Sequence, residues 1–113
     1  MKTKYHSRKI TRDGETFDSV KEFNRFRELK LLERAGKITG LKRQVKFELI
    51  PSQRIDGKVV ERACAYVSDF TYWQDGQLIV EDVKGYKEST AYAVFVIKRK
   101  LMLHVHGIRI KEV

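Results

Sequence analysis

Apolar and polar positions follow two different periods along this chain, and the switches between them mark its elements. Between Ser19 and Ala35 the spacing is helical, with Ser19-Val20-Lys21-Glu22 as a capping box and Gly36 positioned to supply a left-handed cap. At about 100° per residue, Glu22 shares a face with Phe26 and Leu29 and is flanked by Phe23. A carboxylate thus stands on an apolar stripe, where it can serve the cap, a site, or both. Lys37–Arg43 reads as a connection, and Gln44–Ile50 alternates as a strand closed by Pro51. Ser52–Gly57 looks like a loop. Lys58–Trp73 reads as one long strand, broken near Arg62, and Gln77–Val83 as another.

Asp75-Gly76 between those two runs signals an antiparallel hairpin. A two-residue turn there places Gln74 opposite Gln77 and Asp69 opposite Asp82. Side chains alternate, so Asp82 shares a face with Val80 and Lys84, while Glu81 points to the other side. Two carboxylates about 5 Å apart on one face repel each other, more so when half-buried. An exposed acidic pair balanced by nearby bases is the plain alternative. The surrounding Leu78, Ile79, Val80 and Val83 argue against it, because they put apolar side chains on both faces of a central, doubly covered strand. A divalent cation held by oxygen ligands, Mg²⁺ or Mn²⁺, would remove the repulsion.

A second helix is predicted from Ser89 or Thr90 to Gly107, with Ala91, Val94, Ile97, Leu101, Met102 and Val105 as its inward stripe and Lys98 among them. Tyr92, Val96 and Leu103 then form an apolar stripe on the other side, read as further cover or a homodimer contact. Ile108–Val113 alternates as a last strand. The expected architecture is α/β in the broad sense (α+β), in the order αβββαβ: a mixed central sheet flanked by helices, in a single domain over residues 1–113 with 1–12 as a basic arm.

Charge narrows the function. The 113 residues carry 24 Lys and Arg against 15 Asp and Glu, a net charge of +9, which points to a polyanionic partner and most simply to nucleic acid. No apolar run approaches membrane-spanning length, and no signal peptide is apparent. The lone Cys64 excludes an internal disulfide and fits a small core residue in a reducing cytosol. His6, His104 and His106 lack partners at zinc-ligand spacing.

An acid on the first helix, an Asp ending one strand and Asp-x-Lys on the next resemble the PD-(D/E)XK nuclease superfamily, here as Glu22, Asp69 and Asp82-Val83-Lys84. The chain further resembles a small phage and prophage family related to it, through Tyr5-His6-Ser7, Thr16-Phe17-Asp18-Ser19, Phe47-Glu48-Leu49-Ile50-Pro51, Asp69-Phe70-Thr71-Tyr72, Glu81-Asp82-Val83-Lys84-Gly85 and Ile97-Lys98-Arg99-Lys100-Leu101. Ser68 departs from that pattern, standing where its proline would. The resemblance implies a restriction-endonuclease-like core and Mg²⁺- or Mn²⁺-dependent endonucleolytic hydrolysis of DNA. The small size of the domain favours structure-selective cutting of branches or junctions, and the expected compartment is the cytoplasm, that of a bacterial host if the chain is phage-encoded. The resemblance gives Asp69, Asp82, the Val83 carbonyl and Glu22 as metal ligands, and Lys84 as the catalytic cation. Lys98, Lys87, Arg8, Lys9 and Lys100 are candidate DNA contacts. A non-catalytic nucleic-acid-binding module on the same fold is the alternative.

Overall fold

Three Asp-Gly dipeptides, at 13–14, 56–57 and 75–76, each turn a hairpin. Both residues have positive φ in every case (53° and 80°, 51° and 79°, 52° and 76°), the turn geometry whose twist matches that of paired strands. The computed structural model describes residues 9–85 and 89–113. In chain order the elements are β1 (Ile10–Arg12), β2 (Glu15–Phe17), α1 (Val20–Arg34), β3 (Thr39–Arg43), β4 (Lys46–Ile50), β5 (Gln53–Ile55), β6 (Lys58–Glu61), β7 (Cys64–Val67), β8 (Phe70–Gln74), β9 (Gln77–Asp82), α2 (Thr90–His106) and β10 (Lys111–Glu112).

The central sheet has the order β10-β9-β8-β3, antiparallel except for the β10–β9 pair, so the fold is α+β with mixed strand directions. The β8–β9 ladder has the register expected from a two-residue turn, Gln74 facing Gln77 and Phe70 facing Glu81. Beyond its registered end, β3 bends into β4 and β8 is preceded by β7. The gap between these ladders is bridged by Ser68 N–H to the Val45 carbonyl (2.9 Å) and Gln44 N–H to the Asp69 carbonyl (3.2 Å).

Each helix covers one side of β9. Val80 packs with Phe95 and Met102 of α2 and with Leu49, Tyr66 and Ile110. Ile79 and Val83 pack with Leu29 of α1 and with Ile38, Phe70 and Tyr72. The result is a three-layer arrangement with β9 at its centre. Both helices are capped by serine: the Ser19 Oγ accepts from Glu22 N–H (3.0 Å), and the Ser89 Oγ accepts from Tyr92 N–H (3.1 Å). Gly36, at φ 77°, ends α1, and the Lys37 N–H reaching the Leu32 carbonyl (2.9 Å) closes the cap.

Several expectations are corrected. Residues 39–43 are not a connection but the edge strand β3, and the stretch from Lys58 to Trp73 is three strands. Residues 52–57 belong largely to a ribbon, β5–β6, whose residues are all exposed. Ile10–Arg12 is a strand of the first hairpin and not part of a free arm. The last strand is confined to Lys111–Glu112. The phase of α2 is also rotated from the one the sequence suggests. Phe95 and Met102 are its buried residues, with Tyr92 and Leu101 packed beside them, whereas Val94, Ile97 and Val105 are exposed at 48%, 61% and 47%. Tyr92 therefore faces the core and cannot belong to an outward Tyr92/Val96/Leu103 stripe. The helix carries apolar residues on most sides, so a stripe drawn from hydrophobicity alone has no unique phase.

That phase has a measurable consequence. Met102→Ala should cost about 2–5 kcal/mol in guanidinium unfolding, while Ile97→Ser should stay within about 0.5 kcal/mol. The reverse ranking would restore the phase that the sequence suggests.

Candidate functional site at the end of the central strand

The last residues of β9 divide between the two faces of the sheet. Glu81 turns toward α1, where it is completely buried. Arg25 grips it with Nε (2.8 Å) and Nη2 (2.6 Å), Tyr72 donates its hydroxyl to Oε2, and Lys111 Nζ lies 3.9 Å from Oε2. That hydrogen-bonded ion pair raises the Arg25 pKa, and burial followed by the bond to Glu81 raises that of Tyr72. Glu81 is thus committed to a structural ion pair on the side away from Asp82.

Asp82 turns toward α2. Its Oδ1 accepts from the Tyr66 hydroxyl (2.8 Å) and its Oδ2 from Lys84 Nζ (2.5 Å). The Lys84 ammonium sits 3.3 Å from the centre of the Phe95 ring and 5.8 Å from that of Tyr92, a desolvated cation–π position that fixes its direction. Backbone pairing holds the strand end in place. The Asp82 carbonyl accepts from Val113 N–H (3.0 Å), Lys84 N–H donates to the Val113 carbonyl (2.9 Å), and Lys21 Nζ donates to the Lys84 carbonyl. Burial, reinforced by the Asp82 carboxylate, pushes the Tyr66 phenol upward and keeps it a donor.

Asp69 completes the cluster. Its N–H donates to the Glu81 carbonyl (3.1 Å) and its Oδ2 accepts from Val83 N–H (2.7 Å). Burial pushes the carboxyl up to about 7; Asp82 and Glu22 add to the rise, while the Val83 N–H and Lys84 oppose it. Asp69, Asp82, Glu22 and Lys84 therefore lie within electrostatic reach of one another. Glu22 approaches from α1 at 2% exposure, with Oε1 accepting from Asp18 N–H (3.3 Å) and Oε2 from Arg43 (3.3 Å) and Gln44 (3.4 Å). Burial raises its pKa, countered by Arg43 and the Asp18 N–H. Arg43 in turn lies over Phe17 (3.9 Å to the ring centre) and pairs with Glu15 (3.0 Å).

The other predicted positions are more dispersed. Lys98 is half-buried on α2, Lys100 is exposed farther along that helix, and exposed Lys9 lies 3.8 Å from Asp18. Arg8 and Lys87 lie outside the described residues. Tyr66, Phe95, Arg43 and Gln44 escaped the sequence reading, since each belongs to an element separate in sequence from the charged group it touches. Only Tyr66, three residues before Asp69 in an apolar run, stood near a motif.

Among the described residues, no group of three or more His, Cys, Asp or Glu is placed to hold a metal ion. Asp82, which turns toward α2, and Asp69, whose pKa it helps to raise, are the carboxylates beside the end of β9. This donor set fits Mg²⁺ or Mn²⁺, hard cations that keep several waters and take one or two carboxylates in place of an all-protein cage.

Burial pushes the Asp69 carboxyl up to about 7 from an ordinary 3.8. Below about pH 4 both folded and unfolded chains hold that proton; as pH rises toward 7 the unfolded chain releases it first and folding stability falls. Asp69→Asn should remove this loss, seen as a flatter stability profile in guanidinium melts between about pH 4 and 8. Identical profiles for the two proteins would contradict a buried, uncompensated Asp69.

No curated protein sequence and no solved structure matches the chain. A family model described as "Protein of unknown function (DUF1064)" matches residues 2–111, nearly the whole length, and the chain belongs to that family.

Proposed function

We propose that this protein is a divalent-metal-dependent endonuclease that hydrolyses DNA phosphodiester bonds, built on a restriction-endonuclease-like core. The observation that carries the reading is the Asp69–Asp82–Lys84 cluster beside the end of β9, in which Lys84 pairs with Asp82, Asp69 is bonded to Val83 N–H, and partial burial raises the Asp69 pKa. Asp69 and Asp82, with the Val83 carbonyl, are the oxygens that would hold Mg²⁺ or Mn²⁺, with Glu22 joining directly or through water. Bound there, the cation would polarise a phosphate oxygen and lower the pKa of a water.

The residues divide the remaining work. Asp69 spends Oδ2 on Val83 N–H, which leaves Oδ1 as the oxygen that would meet a cation. Lys84, pinned between Asp82 and Phe95, presents a fixed ammonium to the negative charge that develops on a phosphate. Tyr66 orients Asp82, and the Arg43–Gln44 pair orients Glu22. The +9 charge supplies salt-dependent attraction to the backbone. So small a domain has little surface for reading bases, which favours branched or junction DNA as substrate. The lone cysteine suits work in the cytoplasm, that of a bacterial host if the gene is carried by a phage.

A non-catalytic nucleic-acid-binding module is the second reading, favoured by the pairing of both Asp82 oxygens inside the protein. Titration with Mg²⁺ and Mn²⁺ by calorimetry separates the two, since the module predicts no heat of binding. Asp82→Asn should abolish cleavage of single-stranded, duplex and branched DNA while preserving or tightening binding. Tyr66→Phe should lower metal affinity or activity by about 10–100-fold. Wild-type protein that cuts none of these substrates with either metal ends the nuclease reading.

A further inference from the structure

Beside the site, α2 and β10 enclose a groove of about 280 Å³ lined by Arg99, Lys100, Leu103, Arg109, Ile110 and Glu112. Three of these side chains are cationic and one is anionic. Glu112 holds Arg99 at 2.9 Å and accepts from the Tyr92 hydroxyl at 3.1 Å, and the bond to Glu112 raises the Arg99 pKa. Arg99 is thereby aligned along the groove wall. Lys100 and Arg109 are exposed, and among the described residues neither forms an ion pair.

Strand pairing and one tyrosine link the groove to the carboxylate cluster. Glu112 is registered against Asp82 on the parallel strand pair. Tyr92, which bonds Glu112, also stands 5.8 Å from the Lys84 ammonium. One aromatic ring thus separates the Lys84 position from a row of guanidinium and ammonium groups. A flexible polyanion with regularly spaced charges suits such a row, whereas a compact anion would use only one end of it.

We propose that this groove binds the sugar-phosphate backbone of the nucleic acid strand as it leaves the Asp69–Asp82–Lys84 site, with Lys100 and Arg109 as phosphate contacts and Arg99 as the fixed wall. The proposal rests on the endonuclease reading for its direction, and it names the path of the substrate next to that site.

The test is salt-dependent binding of a fluorescent duplex oligonucleotide to full-length protein without divalent metal, where no hydrolysis occurs. For Lys100→Ala/Arg109→Ala, the slope of log K against log salt should shrink by about 2 relative to wild type, one for each phosphate that is no longer neutralised. A control that removes two cations elsewhere, Lys37→Ala/Lys42→Ala, should keep the wild-type slope. An unchanged slope in the groove variant, or an equal decrease in the control, overturns the proposal. Cleavage by wild-type protein with Mg²⁺ is scored separately. Absence of cleavage with the slope difference intact sinks the nuclease reading and upholds the groove; cleavage with no slope difference does the opposite.

Discussion

The alternation of side chains along one central strand governs the rest of this molecule. Because β9 is hydrogen-bonded on both edges and covered on both faces, each of its residues must face one helix or the other. Ile79, Glu81 and Val83 go to α1, and Val80 and Asp82 go to α2. Two adjacent acids are thereby sent into separate environments. A slip of one residue would exchange them, placing Asp82 against Arg25 and Glu81 beside Tyr66. The hairpin turn at Asp75-Gly76 prevents that slip, so a turn at one end of the ladder determines the chemistry at the other.

The two environments treat charge differently. On the α1 side, Arg25 pairs with the Glu81 carboxylate and Tyr72 hydrogen-bonds it, the partners that a buried carboxylate requires. On the α2 side, one lysine serves two aspartates, and a backbone N–H is Asp69's nearest partner. Asp69 is partly buried there, and that burial is the largest cause of its raised pKa. Such local conflict within an otherwise consistent fold is where function is expected to lie.

What could be read in advance followed from short-range rules. Ser19, Gly36, Ser89 and Gly107 bound the helices because capping is a local interaction, and the β8–β9 register followed from its turn. The same Asp-Gly signal was present at 13–14 and 56–57, but the flanking segments are short and polar, so the hairpins there were not apparent. β3 was hidden by Gly40, whose φ of 65°, at a place where an added Cβ would meet the Trp73 ring at 3.3 Å, marks a strand irregularity of the kind that breaks an alternating pattern. The phase of α2 depended on which apolar face meets Tyr66 and Leu49, a long-range fact. In the site, the β8–β9 register ends at the Phe70–Glu81 pair and does not reach Asp69, and Tyr66, Phe95 and Arg43 depend on tertiary packing that no local spacing encodes.

The ribbon formed by β5 and β6 stands apart from both cores, with Ile55, Val59 and Val60 in solvent. A two-stranded ribbon without a packed face opens far more readily than the protein as a whole, so its amides should exchange with deuterium long before those of β8 and β9. Its tip at Asp56-Gly57 is therefore the natural point for proteolytic nicking, and equally for inserting a fluorophore-bearing loop that leaves the carboxylates of β9 undisturbed.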